Sequence, residues 1–468
     1  MSAIYSRKGV LVVDILIEGG LVYTMDGGRR VIEDGAVAVK GNRIVDVGGR
    51  DELRSKHSAD RVVNASHCAV LPGFVDVHSH LPSIFVRGVY GVIREGLYKV
   101  LFPIKTYIEP EHMYVFGVAS CVEALNSGTT TVQESYNHMH QFARAAEETG
   151  IRANLGEQIS EADYRKVKDG EYSYLQGQAE EMHRRALRLV DEWEAAAKGR
   201  ITTCLAPLAP DMCRPWIYEM VRDEANDRGL MISTHLSQSM REVDQVRKLY
   251  DKSPVEHMAD LGVLGENLIA AHCIHIDETD TGMIRDSCTR ILHCPRPYLA
   301  NGVTANLSGW LEAGIGVGLG TDNVYHSMWE TMRAALYASR VRAAQGHGGR
   351  GRPSFYELLE LATIRGAELL NVQWEVGSLE TGKKADIQII DLHDPHLTPT
   401  VDVTSSLVLY GSTGSVKTVL VDGETVKEGG GVTTVDTGRC LEEAQDLCER
   451  VWEGLFRDQP ELRELVGK

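Results

Sequence analysis

Two histidines separated by one residue, His78 and His80, are the first side chains in this sequence that could do chemistry together. They follow a Pro-Gly pair and a largely apolar run, Phe74–Val77, a pattern typical of a short buried strand. Side chains two residues apart on a strand project to the same side, so both imidazoles leave the strand together. Two neutral imidazoles aimed at one point suit a divalent cation such as zinc, although two ordinary loop histidines would give the same pattern.

Three further polar residues end apolar runs downstream: His235, His272 and Asp322. Each has an ordinary alternative, because a histidine can be satisfied within a core and an aspartate can cap a helix. If all the runs are strands that converge on one point, the five residues together can form the first shell of a metal and leave room for water. The sequence therefore predicts a metal site.

The elements that would position these residues lie between about positions 72 and 374, where apolar runs alternate with helical patterns. This alternation predicts a (β/α)8 TIM barrel of the α/β class, and it places the five polar residues at the carboxyl ends of the strands, where such barrels carry their active sites. The predicted barrel strands are Phe74–His78, Thr129–Glu134, Arg152–Glu157, Ile201–Ala206, Met231–His235, Leu268–His272, Arg290–Cys294 and Gly316–Asp322.

Short β-segments separated by glycine-rich turns occur at both ends of the chain. They predict a small β-sandwich domain from residues 1–71 and 375–436, with the barrel (72–374) inserted and a helical extension (437–468) after it. The predicted segments are Val10–Ile17, Gly20–Tyr23, Ala36–Lys40, Arg43–Val47, Arg61–Ala65, Asp386–Ile390, Val416–Val421 and Glu424–Val426.

Length and composition restrict the function further. A chain of 468 residues is too long to fold around one small hydrophobic core, and a large barrel with a minor domain fits better. The net charge of −17 disfavours nucleic acid or an anionic membrane as a partner. The nine cysteines are scattered with no Cys-x-x-Cys pair, which favours reduced thiols in a cytoplasmic protein. We find no signal peptide, and no apolar run approaches the roughly 20 residues that cross a bilayer. The expected partner is a small-molecule substrate.

The sequence resembles the amidohydrolase superfamily over nearly its whole length, and most closely the subgroup of triazine hydrolases and cytosine or adenosine-type deaminases. The resemblance implies that His78, His80, His235 and Asp322 bind one divalent metal, and that His272 hydrogen-bonds the attacking water or the substrate. Zn2+ is the default, with Co2+, Fe2+ and Mn2+ as further candidates, and a homo-oligomer (dimer or tetramer) is expected. The matching stretches are LPGFVDVHSH (71–80), GTTTVQE (128–134), STH (233–235), AH (271–272), GLGTDN (318–323) and GSLETGKKADIQII (377–390).

No lysine stands convincingly at the fourth strand end, where dinuclear members of the superfamily carry a bridging lysine, so a single metal is favoured. Such a metal lowers the pKa of its bound water towards about 7 and makes hydroxide available at neutral pH. Asp322 could then accept the water proton and pass it to the leaving group, while His272 could hold the developing oxyanion.

At two positions this sequence differs from the motifs of the subgroup, and these differences affect which substrate is predicted. Deaminase-like relatives carry His-x-x-Glu on the fifth strand, whose Glu protonates a ring nitrogen, but here the stretch is His235-Leu-Ser-Gln238. They also carry Pro-His-Ala-Pro after the fourth strand, but here the histidine is replaced by Leu208. These changes could be drift at uninvolved loop positions. If they are functional, they favour a small neutral, partly hydrophobic urea, carbamate, thiocarbamate or amide, and within the subgroup a likeness to phenylurea and molinate hydrolases.

The alternative function is an aminohydrolase, deaminase or dechlorinase of a heteroaromatic ring. A non-catalytic relative is a third possibility, but such proteins usually lose metal ligands, and every expected ligand is present here. Besides Leu208 and Gln238, two residues are candidate substrate contacts: Asn323, directly after Asp322, and Glu157, at the end of the third predicted strand.

Overall fold

The computed structural model describes residues 11–89, 93, 95–347 and 353–466. In chain order its strands are β1 (Leu11–Tyr23), β2 (Val31–Lys40), β3 (Arg43–Gly49), β4 (His57–Asn64), β5 (Cys68–Pro72), β6 (Phe74–Ser79), β7 (Thr129–Tyr136), β8 (Arg152–Ile159), β9 (Ile201–Pro207), β10 (Met231–Leu236), β11 (Leu268–His272), β12 (Arg290–His293), β13 (Val317–Leu319), β14 (Ile387–Asp391), β15 (Val416–Val421), β16 (Glu424–Glu428) and β17 (Gly431–Val432).

Its helices surround and connect these strands. They are α1 (Arg50–Lys56), α2 (Phe102–Ile104), α3 (Pro110–Asn126), α4 (Met139–Thr149), α5 (Tyr164–Val167), α6 (Gln178–Trp193), α7 (Ala196–Gly199), α8 (Pro215–Arg228), α9 (Met240–Tyr250), α10 (Pro254–Asp260), α11 (Glu278–Asp286), α12 (Pro295–Leu299), α13 (Leu307–Glu312), α14 (Met328–Ala344), α15 (Phe355–Leu361), α16 (Ile364–Leu369), α17 (Val403–Tyr410), α18 (Thr437–Asp458) and α19 (Pro460–Leu465). None of the helices within the described residues is both long and apolar enough to cross a bilayer.

Strands β6 to β13 form a parallel, nearly closed barrel in which each strand pairs with the next one along the chain. The ring closes where the chain after β13 returns to β6. There Asp322 N donates to His78 O, and His80 N donates to Asp322 O, both at 3.0 Å. The predicted (β/α)8 barrel is therefore confirmed, and the closure itself joins two of the residues predicted to bind metal.

Local sequence signals explain where several helices begin. Before α10, Ser253 Oγ accepts a hydrogen bond from Glu256 N at 3.0 Å, and the Glu256 carboxylate accepts one from Ser253 N at 2.7 Å. This reciprocal capping box satisfies backbone groups that the first helical turn leaves free. Pro254 stands at the start of the same helix, where its missing N–H costs nothing.

The β-rich domain is built from both chain ends, as predicted. β1 to β5 and β14 to β17 form one nine-stranded sheet, in which β14 lies antiparallel between β5 and β15. Ile17, Val39 and Ile44 from the first half share a buried core with Ile387 and Leu420 from the second half. Strand β5 and helix α1 were not predicted, and β1 runs unbroken where two segments were expected. Val10 and the rest of residues 1–10 lie outside the described residues.

A buried ion pair connects the barrel to this sheet. Arg152, at the start of β8, donates two hydrogen bonds of 3.0 Å each to Asp386, which precedes β14. Both side chains are almost completely buried. The domain boundaries proposed from the sequence remain a prediction, but this contact holds the barrel floor against the C-terminal half of the sheet.

One segment covers the mouth of the barrel, and helix α18 supports its base. The segment Leu97–Tyr107 consists of a π-helical turn, α2 and a 3-10 turn. Tyr107, its last residue, hydrogen-bonds to Asp458 at the end of α18. In the same helix, Trp452 Nε1 donates to Phe85 O at 2.6 Å. Helix α18 thus supports the connection between β6 and β7 at two points.

Candidate active site

Four imidazoles and one carboxylate meet at the carboxyl-end mouth of the barrel. His78 and His80 come from the end of β6, His235 from β10, His272 from the end of β11, and Asp322 from the loop after β13. All five side chains are buried. The ring centroids of His80, His235 and His272 lie 4.8, 5.0 and 5.2 Å from that of His78. The structure therefore brings together every residue that the sequence singled out as the core of the site.

His80 and His235 face each other in a way that suits a shared cation. His80 Nδ1 donates to Ser135 O at 2.9 Å, and His235 Nδ1 donates to Leu208 O at 2.6 Å. With the proton on Nδ1, each neutral ring presents a lone pair at Nε2, and the two Nε2 atoms are 3.1 Å apart. Two lone pairs at this distance repel unless a positive charge lies beside both. The donor set therefore fits a divalent metal ion.

The remaining ligand atoms are close enough to complete such a site. The donor atoms of His78, His235 and His272 lie within 4.8 Å of one another, and so do those of His78, His80 and Asp322. Atoms that bind a common zinc ion at about 2.1 Å are at most about 4.2 Å apart, so small side-chain rotations are sufficient. These candidate ligands include the four residues that the resemblance implied, together with His272.

Burial sets the protonation states that a metal site requires. Burial lowers the pKa of His78 and His80 well below the usual value and lowers that of His235 to about 4. The histidines are therefore neutral at pH 7, with lone pairs available for a metal. Burial also raises the pKa of Asp322 to about 7, although the Arg296 guanidinium opposes this shift. A bound cation would lower the pKa of this carboxyl group further.

Two buried carboxylates hold the β6 end in place. Asp76 accepts hydrogen bonds from Thr321 N at 3.0 Å and Thr321 Oγ1 at 2.5 Å, and so ties β6 to the loop that carries Asp322. Glu134 accepts hydrogen bonds from Ser79 Oγ at 2.9 Å and Leu81 N at 2.6 Å, the residues on either side of His80. These acids orient the candidate ligands and do not act as ligands themselves.

The backbone is strained at two of the functional residues. His272 has φ of 79° and Asp322 has φ of 62°, in the left-handed region that non-glycine residues rarely adopt. Such strain persists where surrounding structure fixes it, and it clusters at functional sites. Close by, Gly320 allows the last strand to approach the first, because a Cβ there would lie 2.7 Å from His78 O.

A small enclosed space lies between these residues and the covering segment. About 20 Å3 of it is open, which is room for a single water molecule, so a substrate must displace side chains of the lining. Three of the predicted substrate contacts, Leu208, Gln238 and Asn323, line this pocket. The full lining is His80, Leu97, Leu101, Phe102, Lys105, Tyr136, Gln158, Leu208, His235, Gln238, Tyr298, Asp322 and Asn323.

The fourth expected substrate contact, Glu157, does not line this space. The structure places Glu157 outside this lining, because its carboxylate accepts hydrogen bonds from His138 N at 3.0 Å and Met139 N at 2.7 Å at the start of α4. Arg185 Nη2 lies 2.8 Å from the same carboxylate. Glu157 therefore holds the start of α4 to the end of β8, and its role as a substrate contact remains a prediction.

Four polar lining residues were missed in the sequence: Lys105, Tyr136, Gln158 and Tyr298. Tyr136 and Gln158 lie at the ends of β7 and β8, one or two residues beyond the ends that were considered, so a longer strand assignment could have found them. Lys105 and Tyr298 lie in irregular or short helical segments, where no periodicity indicates which side chain turns inwards. Only the folded chain shows that they reach the pocket.

A family model, the amidohydrolase family, matches residues 69–426, more than half of the chain. The chain belongs to the amidohydrolase family. It is thus a hydrolase that acts on carbon–nitrogen bonds other than peptide bonds, and a metal-dependent one. A short match to a bacterial imidazolonepropionase-like composite domain covers residues 35–57, in the β-rich domain.

Relatives of this amidohydrolase include two groups of deaminases. A 5-methylthioadenosine/S-adenosylhomocysteine deaminase of Pelotomaculum thermopropionicum is 33% identical over 94% of this chain and 99% of its own. A 5'-deoxyadenosine deaminase of Methanosarcina mazei is 32% identical over 94% and 98%. These relatives are not phenylurea or molinate hydrolases, so the narrower likeness drawn from the sequence is not supported.

Solved structures agree with this assignment. A zinc-bound adenosine deaminase from Xanthomonas campestris superposes with a TM-score of 0.86 at 26% identity, over 94% of this chain and 99% of the other. Atrazine chlorohydrolase from Arthrobacter aurescens TC1, also with zinc, gives a TM-score of 0.82 at 23% identity over 93% and 100% of the chains, which shows the shared fold. Together with the histidine cluster, these findings support a divalent metal in this amidohydrolase.

Proposed function

We propose that this amidohydrolase is an aminohydrolase, which replaces an exocyclic amino group of a heteroaromatic ring with oxygen and releases ammonia. The observation that carries the proposal is the full-length similarity to deaminases of adenosine derivatives, at 33% identity over 94% of the chain. Adenosine derivatives modified at the 5' position are the first substrates to test. This was the alternative at the level of sequence, and the similarity favours it over hydrolysis of a urea or carbamate.

In this proposal His78, His80, His235 and Asp322 hold one divalent metal. When bound, the metal would supply the Lewis acidity that makes hydroxide available near neutral pH. Because the buried histidines are neutral, they would not reduce the positive charge of a bound metal. Exclusion of bulk water also strengthens electrostatic contacts in the pocket. Zn2+ remains the default ion, and its identity and the count of one are part of the proposal.

In this proposal Asp322 transfers the proton, and His272 stabilises the developing negative charge. An Asp322 oxygen can accept a proton from the attacking water and deliver it to the departing amine, because one carboxylate at the site can act first as a general base and then as a general acid. His272 lies 5.2 Å from His78, centroid to centroid, and so stands beside the proposed metal ligands. It can therefore stabilise the oxygen that is added to the ring carbon.

Hydrolysis of a urea, carbamate, thiocarbamate or amide is a second candidate, and one specific observation favours it. Leu208 and Gln238 both line the pocket, where they stand in place of a histidine and a glutamate. An amide side chain donates hydrogen bonds but does not transfer a proton at neutral pH, so Gln238 cannot act as a general acid. A neutral carbonyl substrate would not need such an acid.

A panel of substrates decides between the two candidates. The protein loaded with Zn2+, or with Co2+, Fe2+ or Mn2+ in parallel, is incubated with adenosine, 5'-deoxyadenosine, 5'-methylthioadenosine and S-adenosylhomocysteine, and separately with phenylureas and thiocarbamates. Released ammonia and the ultraviolet spectrum of the ring are followed. We expect ammonia release from at least one aminated ring. Amine release from ureas or thiocarbamates, with no ring deaminated, would replace the proposal with the second candidate.

A further inference from the structure

Lys105 places in the pocket a side-chain amine that can carry a positive charge. The residue follows α2 in the segment Leu97–Tyr107 and is only 7% exposed. Its Nζ donates to Gln158 Oε1 at 2.7 Å and lies 4.1 Å from the centroid of the Tyr136 ring. Gln158 Nε2 donates to Ser135 O at 3.0 Å, which fixes the amide with its oxygen towards the lysine. The position of the ammonium group is therefore well defined.

The charge of Lys105 is not neutralised by a direct ion pair. Among the described residues, no carboxylate oxygen lies within 4.0 Å of Nζ, and Lys105 is the only lysine or arginine of the pocket lining. Within the described part of the chain, the hydrogen-bond partner of Nζ is the neutral amide of Gln158, which uses one of three N–H groups. Burial lowers the pKa of Lys105 to about 7, opposed by the charge of Glu134. The side chain is therefore about half protonated at pH 7, and a hydrogen-bond acceptor on a bound ligand favours the protonated form.

Lys105 also lies close to the proposed reaction centre. Tyr136 is a common neighbour, because its ring centroid is 5.8 Å from that of His80 on one side and 4.1 Å from Lys105 Nζ on the other. His235, Gln238 and Asp322 line the same enclosed space. A ring bound against the metal ligands would therefore be within reach of the ammonium group.

Attack on an aminated heteroaromatic ring creates a need for such a donor. As oxygen adds to the ring carbon, the π electrons of the C=N bond move onto the ring nitrogen, which becomes a strong hydrogen-bond acceptor. Gln238 can meet this nitrogen only with a neutral amide. A cationic donor stabilises developing negative charge more strongly than a neutral one does.

We propose that Lys105 is a substrate-binding residue whose Nζ donates a hydrogen bond to the ring nitrogen next to the attacked carbon. The inference rests on the proposed aminohydrolase function and names the substrate class more closely, as a ring with an acceptor nitrogen beside the amino-bearing carbon. Lys105 forms and breaks no covalent bond. The C–N bond to the exocyclic amine breaks as the ring C=N bond re-forms, and the proton for the amine comes through Asp322.

The test compares Lys105→Met, Lys105→Arg and the control Lys99→Met, an exposed lysine of the same segment. Each variant is loaded with metal, and kcat and KM for ammonia release are measured. We expect Lys105→Met to lower kcat by about 100-fold, the usual loss of one transition-state donor, while Lys105→Arg keeps more activity and Lys99→Met stays near wild type. Metal content and thermal midpoint should be unchanged in all three.

A binding measurement separates substrate contact from a structural role. Two competitive inhibitors are compared by calorimetry, a ring without the exocyclic amine and its analogue in which the acceptor nitrogen is replaced by C–H. Wild type should prefer the nitrogen-containing ring by about 10-fold, as for one charge-assisted hydrogen bond, and Lys105→Met should lose this preference.

Each result has a consequence. If wild type releases no ammonia from any aminated ring, the proposed function fails and this role fails with it. If wild type is active and Lys105→Met stays within threefold of it, the role of Lys105 alone is overturned. If Lys105→Met loses activity but keeps the preference between the two inhibitors, the lysine does not contact the ring nitrogen, and the inference is likewise overturned.

Discussion

At the scale of single residues, the site depends on where imidazole protons lie. His80 and His235 each donate Nδ1–H to a backbone carbonyl, so the ring nitrogens that meet at 3.1 Å are both acceptors. The carbonyls that fix this arrangement belong to Ser135 and Leu208. Leu208 therefore has a role that its side chain does not reveal, because its main chain orients a candidate metal ligand.

His235→Ala should strip the metal and abolish turnover, because it removes one of only four proposed protein ligands. The metal-to-protein ratio is measured by elemental analysis and the rate by ammonia release. The matched control is His275→Ala, which replaces a half-buried histidine just past the site. A His235 variant that keeps both stoichiometric metal and a near-normal rate would contradict the ligand assignment.

At the scale of elements, the loops at the strand ends are held by buried acids. Glu134, near the end of β7, accepts hydrogen bonds from Ser79 and Leu81 and so fixes the turn that carries His80. The pKa of this carboxyl group is raised well above its usual value by burial, while the two hydrogen bonds oppose that shift. The ligand geometry thus depends on contacts between neighbouring strands.

Glu134→Ala should weaken metal binding and lower kcat by about 10- to 100-fold, the usual effect of losing a residue that orients a ligand. This variant keeps all the proposed ligand residues, so the loss of metal affinity would measure only how well Glu134 positions them. Competition with a metal chelator gives the affinity. Unchanged metal affinity together with unchanged kcat would show that the turn holds its shape without Glu134.

Lys427 provides a pH-dependent test of how β16 packs against the barrel. Its Nζ donates to Asn126 O at 2.7 Å, and burial lowers the pKa of this lysine to about 8. The folded protein gives up this proton more easily than the unfolded chain, so the unfavourable contribution of Lys427 is present below pH 8 and disappears as pH rises towards 10.5.

Lys427→Met should therefore differ from wild type in its pH profile of stability. Between about pH 8 and pH 10 the free energy of unfolding of wild type should gain relative to that of the variant, as measured by urea denaturation. Lys417→Met, which replaces an exposed lysine of the neighbouring strand, serves as the control and should run parallel to wild type. Parallel profiles for Lys427→Met and wild type would refute this account.

At the scale of the whole molecule, the barrel and the β-rich domain depend on each other. The buried Arg152–Asp386 pair joins residues 234 positions apart through two hydrogen bonds. Asp422, on the turn after β15, lies 3.6 Å from the same guanidinium group. The contact therefore links the barrel to two strands of the C-terminal half of the sheet.

Arg152→Met should destabilise the protein by about 3 kcal/mol, because it leaves the buried Asp386 carboxylate without its ion-pair partner. Urea denaturation measures the loss, and the double variant Arg152→Met/Asp386→Leu should recover part of it. Activity at 25 °C should persist, since Arg152 lies at the opposite end of the barrel from the site. A loss below about 0.5 kcal/mol, typical of a surface substitution, would show that the pair does not hold the domains together.

The barrel fold and most of the candidate site can be predicted from the sequence alone. Barrel strands alternate with helices along the chain, and polar residues that end parallel strands must meet at one mouth, so the sequence alone predicts that His78, His235, His272 and Asp322 lie together. The pattern works because each strand and its helix are local in sequence. The domain boundaries, the homo-oligomeric state and the cytoplasmic location remain predictions.

The rest was decided by tertiary structure. Glu157 lies near a strand end as the catalytic residues do, but its two oxygens accept hydrogen bonds from His138 N and Met139 N at the start of α4. Lys105 lies in the long connection between β6 and β7, in a segment without periodicity, and only its packing over β7 and β8 turns it into the pocket. The sequence by itself determined which strand ends carry chemical groups. Which groups stay free for a substrate depended on contacts between distant segments, and those contacts exist only in the folded chain.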